Sequence, residues 1–392
     1  MSDRKLLILL LVVFIDLLGF GIVIPILPLL IERVGGSVFL VGVVIALFSL
    51  FQFLFSAILG RLSDKYGRRP ILILSSFINS MSYFLVFFSQ TLLIIFIARI
   101  IAGIGSASIS VATAYIADSS TLHQRTKRMG FLGAAFSLGF IVGPLLGGVV
   151  SEKFGIGAPF LIPALLSLVN TLLIFVILPE SNKSFQKDIK IEFFNIKVTR
   201  EVLQPKNMSF LLAIFFFVNF ALSLIIGVFP IFSKERFGWS ESQNGYYFSL
   251  IGIGSFITQA YLISLFLKKI NETQMIKLGF VFFGSAVILL GFSPFGWLAL
   301  IAGLFTSVGF SLLNVNVQSL ISLESDPKEQ GIVLGVAQSF ASLARVFGPL
   351  LGGTLASLNI TLPYIMSGLL AFFILLVGKS YLKLFKRRES TY

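Results

Sequence analysis

Twelve stretches of this 392-residue chain are apolar for about 20 residues or more, and that pattern restricts the fold before any single residue is considered. Within hydrocarbon no water is available to satisfy the backbone, so each stretch must close its own hydrogen bonds as a helix. The predicted spans are 6–30, 38–60, 70–89, 92–117, 128–151, 158–178, 209–232, 243–267, 274–292, 296–322, 330–356 and 361–382. Charged residues make up 12% of the chain and hydrophobic ones 56%, against roughly 25% charged in a soluble domain. The expected class is an all-α integral membrane protein with twelve transmembrane helices.

The net charge of +13 would suit a nucleic-acid binder, but the 30 Lys and Arg residues are distributed by membrane side. With the N-terminus in the cytoplasm, only Arg33, Lys153, Lys234 and Arg236 fall on outer loops, and Arg99 and Arg345 fall within helices. The remainder are on inner segments, the positive-inside bias of a multi-pass protein of the plasma membrane. Both termini are then cytoplasmic, the tail Lys383, Lys386, Arg387, Arg388 anchors the topology, and no nucleic-acid partner is implied. The first apolar run is too long and too interrupted, by Asp16, Gly19, Gly21, Pro25 and Pro28, to be a cleaved signal. A chain with no Cys and a single His123 has no thiolate or His cluster for a metal, and no GxxxxGK[ST] loop for a nucleotide. No metal and no cofactor are expected.

An internal repeat organises the chain. Gly143-Pro144-Leu145-Leu146-Gly147-Gly148 recurs as Gly348-Pro349-Leu350-Leu351-Gly352-Gly353, Gly130 faces Gly335, and Gly105 faces Gly309 after a one-residue slip. Two pseudo-symmetric six-helix bundles are predicted, over 1–179 and 208–392, joined by a cytoplasmic linker over 180–207. Phe185, Ile189, Ile191, Phe193 and Phe194 of that linker are compatible with a short amphipathic helix or a flexible tether. Duplicated bundles suit transport, since a site at their interface opens to either side when one half rocks against the other. Outer loops as short as 89–91 and 293–294 leave no room for an extracellular domain, so function must lie among the helices.

Ionisable residues inside a membrane are costly and mark function by default. Asp16 lies about ten residues into its helix, roughly 15 Å deep at 1.5 Å per residue. A carboxylate there costs about 2.5–3.5 kcal/mol even on insertion scales, so it must face a polar cavity, find a partner or take a proton. Arg99, entered from the outer side, reaches a comparable depth and is a fixed positive charge suited to tune Asp16 or bind an anion. Arg345 has no acidic residue within the helices of its own half, so it either crosses the interface towards Asp16 or meets substrate or water, and it counts among the candidate substrate contacts. Of the other polar residues in helices, Asn219, Asn314 and Gln318 are candidate substrate contacts, the last two being four apart and therefore on one face. Helix-to-helix glue is the usual role of such groups.

The inner turn Gly60-Arg61-Leu62-Ser63-Asp64-Lys65-Tyr66-Gly67-Arg68-Arg69 is the most specific motif. Its glycines allow a tight turn, Asp64 is placed to meet a helix N-terminus, and Arg68 is placed to pair with Asp118, contacts that would latch one side of a rocking molecule. In the fifth helix Gly139, Gly143 and Gly147 recur every fourth residue, a smooth stripe for close packing, with a bend expected at Pro144 and Gly148 adjacent.

Taken together these residues resemble the major facilitator superfamily, and within it the drug/proton antiporters, over nearly the whole chain. The loop Gly60 to Arg69 resembles the superfamily signature, Arg99 to Gly105 its fourth-helix motif, and Gly139 to Gly148 the antiporter motif. Asp16-Leu17-Leu18-Gly19-Phe20-Gly21, the run to Pro28, and Tyr115-Ile116-Ala117-Asp118 are similar to tetracycline/proton antiporters. The resemblance implies Asp16 as proton site, Arg99 as its electrostatic partner and Gln52 as a substrate contact. It departs at Ser82, where tetracycline exporters have an acidic residue, and in the ninth helix, which lacks one; both departures favour another compound.

The expected function is a proton-coupled antiporter exporting hydrophobic or cationic compounds by alternating access, working as a monomer with a small molecule, protons and the bilayer as its partners. Alternatives are a proton-coupled carrier of a sugar, metabolite, amino acid or lipid, and a non-transporting sensor or scaffold. An enzyme is not expected, there being no Ser/His pair or paired helix aspartates.

Overall fold

The computed structural model describes residues 3–106, 108–119, 122–181, 196–326 and 330–389. The described residues are helical throughout: α1 (Asp3–Arg33), α2 (Val38–Tyr66), α3 (Arg68–Phe87), α4 (Leu92–Gly105), α5 (Ser108–Asp118), α6 (Leu122–Phe154) and α7 (Leu161–Ile177), then α8 (Ile196–Leu203). They continue as α9 (Lys206–Ile226), α10 (Phe229–Phe237), α11 (Glu241–Ile257), α12 (Ile263–Leu267), α13 (Glu272–Phe292), α14 (Gly296–Glu324), α15 (Gln330–Leu358) and α16 (Leu362–Glu389). Among the described residues, eleven helical spans are long and apolar enough to cross a membrane, with a shorter apolar helix at Leu362–Gly378. The all-α membrane fold expected from the apolar runs is therefore present. Leu93, Val176 and Leu376 are 69%, 77% and 73% exposed, a surface that only hydrocarbon can cover. The expected linker helix around Phe185 to Phe194 lies outside the described residues.

Two expected spans are built from more than one piece, and a third is described in two parts on either side of residue 107. The seventh ends at Ile226 and resumes as α10, because Pro230 has no N–H to bond the carbonyl of Ile226. The fourth is described as α4 and α5, and the eighth as α11 and α12 joined by a π-helical turn at Thr258–Leu262.

The chain separates into two compact units, Met1–Phe194 with Trp239–Ser249, and Asn195–Gly238 with Leu250–Tyr392. Each repeats one packing plan. In the first, α6 lies on α1, α3 on α7 and α3 on α4; in the second, α15 lies on α9, α13 on α16 and α13 on α14. The repeated glycine-rich hexapeptides make the first of these contacts in both. A Cβ on Gly143 would sit 2.6 Å from the carbonyl oxygen of Leu18 and 2.9 Å from Cα of Gly21, while one on Gly147 would press on Ile22. In the second unit Gly348 lies against Phe220 and Ser223, and Gly352 against Leu224. Leu18 thus corresponds to Phe220 and Ile22 to Leu224, which makes the buried Val218 the counterpart of Asp16 in the repeat. The α4 and α14 contacts match as well: Gly105 closes on Asn79, and Gly309 on the buried Phe283.

Backbone lies on backbone at Gly143, so neither partner can yield. Gly143→Ala is expected to destabilise the first unit by about 1–3 kcal/mol, read as a lower midpoint of thermal unfolding in detergent. Gly130, on the same helix, is the control, because a Cβ added there would meet nothing within 4 Å. Gly130→Ala should leave the midpoint unchanged or slightly raised.

Candidate functional site

Asp16 is 6% exposed, and its two oxygens are held by neutral donors from two other helices. Nδ2 of Asn79 donates to Oδ1 at 2.9 Å, and Oγ of Ser108 donates to Oδ2. The geometry depends on a missing side chain. Gly105 brings α4 so close to α3 that a Cβ there would collide with Oδ1 of Asn79, the side-chain oxygen opposite the nitrogen that donates to Asp16. One turn along α1, Gly19 leaves room for the hydroxyl of Tyr83, which is within electrostatic reach of both Asp16 and Arg99.

Among the described residues Arg99 makes no ion pair with Asp16, whose oxygens go to Asn79 and Ser108. It is 2% exposed and its guanidinium carbon lies 4.5 Å from the centre of the Phe48 ring, a cation–π contact. Gly103, one turn on, explains the position: it allows α4 to touch the backbone of α2 at Phe48 and Gln52, which carries Arg99 over Phe48. Nε and Nη1 of Arg99 are buried without a hydrogen-bond partner among the described residues. Gln52 is half-buried on α2 beside this contact.

A second cluster forms where α2 turns into α3. Gly67, at φ 105°, makes the turn. Arg68 is its hub: Nη2 lies 2.5 Å from Oδ1 of Asp64, Nε donates to Oδ2 of Asp118 at 3.0 Å, and Nη1 donates to Oγ of Ser63 at 2.5 Å and to the Gly60 carbonyl at 3.4 Å. Glu180 caps the α3 N-terminus: Oε1 accepts from N–H of Arg68 at 2.8 Å and Oε2 from N–H of Arg69 at 3.0 Å. Asp64, near the end of α2, pairs with Arg68 across the Gly67 turn. Arg69 donates to the carbonyl of Phe175 and lies over its ring, and the hydroxyl of Tyr115 donates to the carbonyl of Pro179 at 2.6 Å. The end of α7 is thereby tied to the turn. Glu180 was not singled out by sequence reasoning, nor were Asn79, Ser108 and Tyr83 as a set; only the polar character of Asn79 inside an apolar run pointed to one of them.

The remaining candidates do not converge. Asn219 donates to the carbonyl of Phe215 on its own helix at 2.8 Å. Arg345 donates from Nη2 to Oγ of Ser342 at 3.0 Å, one turn earlier on α15. Gln318 and Asn314 do meet, Nε2 to Oδ1 at 3.4 Å. Pro144 stays within the continuous α6, with Gly139 against Leu17 and Leu18, and Gly148 against Glu241 and Gly245 of the same unit. No three His, Cys, Asp or Glu residues come together to hold a metal among the described residues.

Comparison with known proteins agrees with this architecture. The chain is 33% identical over 348 residues to a tetracycline resistance protein, class B, of Escherichia coli, covering 87% of this chain and 86% of the relative. It is 30% identical over 385 residues to multidrug resistance protein 2 of Bacillus subtilis (strain 168), covering 96% and 94%. Among solved structures, a bacterial homologue of the human lysosomal transporter Spinster superposes with a TM-score of 0.81 at 15% identity, over 99% of this chain and 98% of that one. The Major Facilitator Superfamily model matches residues 9–323 and 260–391. With helices, duplicated packing and sequence in agreement, the chain belongs to the Major Facilitator Superfamily.

Proposed function

We propose that this transporter is a proton-coupled antiporter that exports lipophilic compounds by alternating access, with both termini in the cytoplasm and Asp16 as the group that carries the proton. The observation that carries this reading is the neutrality of the Asp16 donors. A carboxylate locked to an arginine would leave an unpaired buried cation on protonation, a costly state. Asp16 is held by an amide and a hydroxyl, so taking up a proton strands no opposite charge. The Ser108 hydroxyl is both donor and acceptor and can reverse its bond to accept from the protonated acid. Arg99, on Phe48 and within electrostatic reach of the neighbouring Tyr83, supplies positive potential without closing the site. Relatives named for tetracycline and multidrug resistance support drug-like cargo. The sequence departure at Ser82 directs the cargo away from tetracycline itself.

The Arg68 cluster serves as the latch on the cytoplasmic side, with Glu180 tying the start of the linker to it. Its acidic partners are partly exposed, Asp64 by 37% and Asp118 by 32%, so each ion pair contributes little alone and the cluster acts as a unit.

Asp16→Asn is expected to abolish substrate-dependent proton flux in proteoliposomes under an imposed pH gradient while membrane insertion is retained. Proton-driven export at the parent rate would remove Asp16 from this role. For the latch, Arg68→Ala and Asp118→Asn should each slow transport roughly tenfold, which corresponds to about 1.4 kcal/mol. The double variant should be no slower than either single one, and fully additive losses would show that the pair is not coupled.

A further inference from the structure

The π-helical turn between α11 and α12 changes which side chains face outward. In an α-helix a buried face returns after three or four residues, but here Thr258 and Ile263, five apart, are both buried, at 0% and 7% exposure. The N–H of Ile263 bonds back to the carbonyl of Thr258, the five-residue step of a π turn. The residues between are pushed out, with Gln259 and Tyr261 exposed. Gly254 permits this region to lie against α14, since a Cβ there would stand 2.7 Å from Oγ of Ser307. One turn further along, Nε2 of Gln259 donates to Oγ of Ser311 at 3.4 Å, and Asn314 and Gln318 continue the polar row on α14.

The row is only half satisfied. Oε1 of Gln259, Nδ2 of Asn314 and Oε1 of Gln318 have no hydrogen-bond partner among the described residues, although each side chain makes one bond within the row. Gln259 is eight residues from the end of α12 at Leu267 and Asn314 ten from the end of α14 at Glu324, roughly 12 Å and 15 Å along the helix axes. At that depth amides turned towards acyl chains would go unsatisfied, a cost that water or a polar ligand would remove. No charged residue belongs to it.

We infer that Gln259, Ser311, Asn314 and Gln318 form a neutral amide subsite that receives a substrate group offering both a hydrogen-bond donor and an acceptor, such as a carboxamide or a hydroxyketone. The free carbonyl oxygens accept from the donor and the free amide of Asn314 donates to the acceptor. This inference rests on the exporter reading and defines the chemistry of its cargo. Being uncharged, the row selects for polar pattern and leaves net charge to other parts of the molecule.

The test is equilibrium binding to the full-length protein in nanodiscs. Chloramphenicol and thiamphenicol, which carry amide and hydroxyl groups, are compared with tetraphenylphosphonium, which has no hydrogen-bonding group. The near-isosteric Gln259→Met and Asn314→Leu are expected to weaken binding of at least one amide-bearing probe by roughly tenfold. Tetraphenylphosphonium should stay within about twofold, which also reports that the variants are folded. Equal losses for both probe classes, or unchanged binding of the amide probes, would overturn the subsite. Parent protein that binds tetraphenylphosphonium but neither amide probe would overturn the subsite and leave the exporter reading standing. Binding of no probe would overturn both.

Discussion

A carboxyl group inside a bilayer needs donors, and Asp16 has them because helices approach one another at positions without side chains. Gly105 brings α4 onto Asn79, and Gly139, Gly143 and Gly147 seat α6 on α1. Small residues take this role in membranes because the hydrophobic effect cannot drive helices together in lipid, leaving van der Waals contact and a few hydrogen bonds to hold the bundle. The glycine stripe and the acid site therefore belong to one construction. The first fixes where α1 lies, and the second requires Asp16 to meet an amide on α3 and a hydroxyl on α5 at once.

The same economy shapes the turn between α2 and α3. Arg68 gathers Asp64, Asp118 and Ser63 through one guanidinium, a use for which its fixed, fork-shaped donors suit it better than lysine. Glu180 takes the two backbone N–H groups that the start of α3 leaves open, a carboxylate at the positive end of a helix dipole. A Cβ on Gly67 would meet that carboxylate, so the glycine serves the cap as well as the turn.

How far the sequence disclosed this depends on the range of the interaction. The helices were legible because a span in hydrocarbon must satisfy its own backbone, a local rule written in each apolar run. The depth of Asp16 followed from its place within one run, and the break before α10 was marked by Pro230. The partners of Asp16 were not legible: Asn79 and Ser108 are distant in sequence and look like any other polar contact between helices. The depth of Arg99 was legible too, but its seat on Phe48 was not, because it depends on the close approach of Gly103 to α2. The π turn left no sequence signal at all, since it shows only as a five-residue spacing between buried side chains.

The duplication kept the scaffold and let the chemistry go. Where the first unit has Asp16 and Asn79, the second has Val218 and Phe283, packed by corresponding glycines. Of this matched pair of positions, only one copy bears the cost of solvating an acid. The other copy carries a side chain that needs no donor, so the residues packed around it are free to vary without stranding a buried charge. A duplicated scaffold of this kind keeps one costly position fixed and leaves its twin open to change.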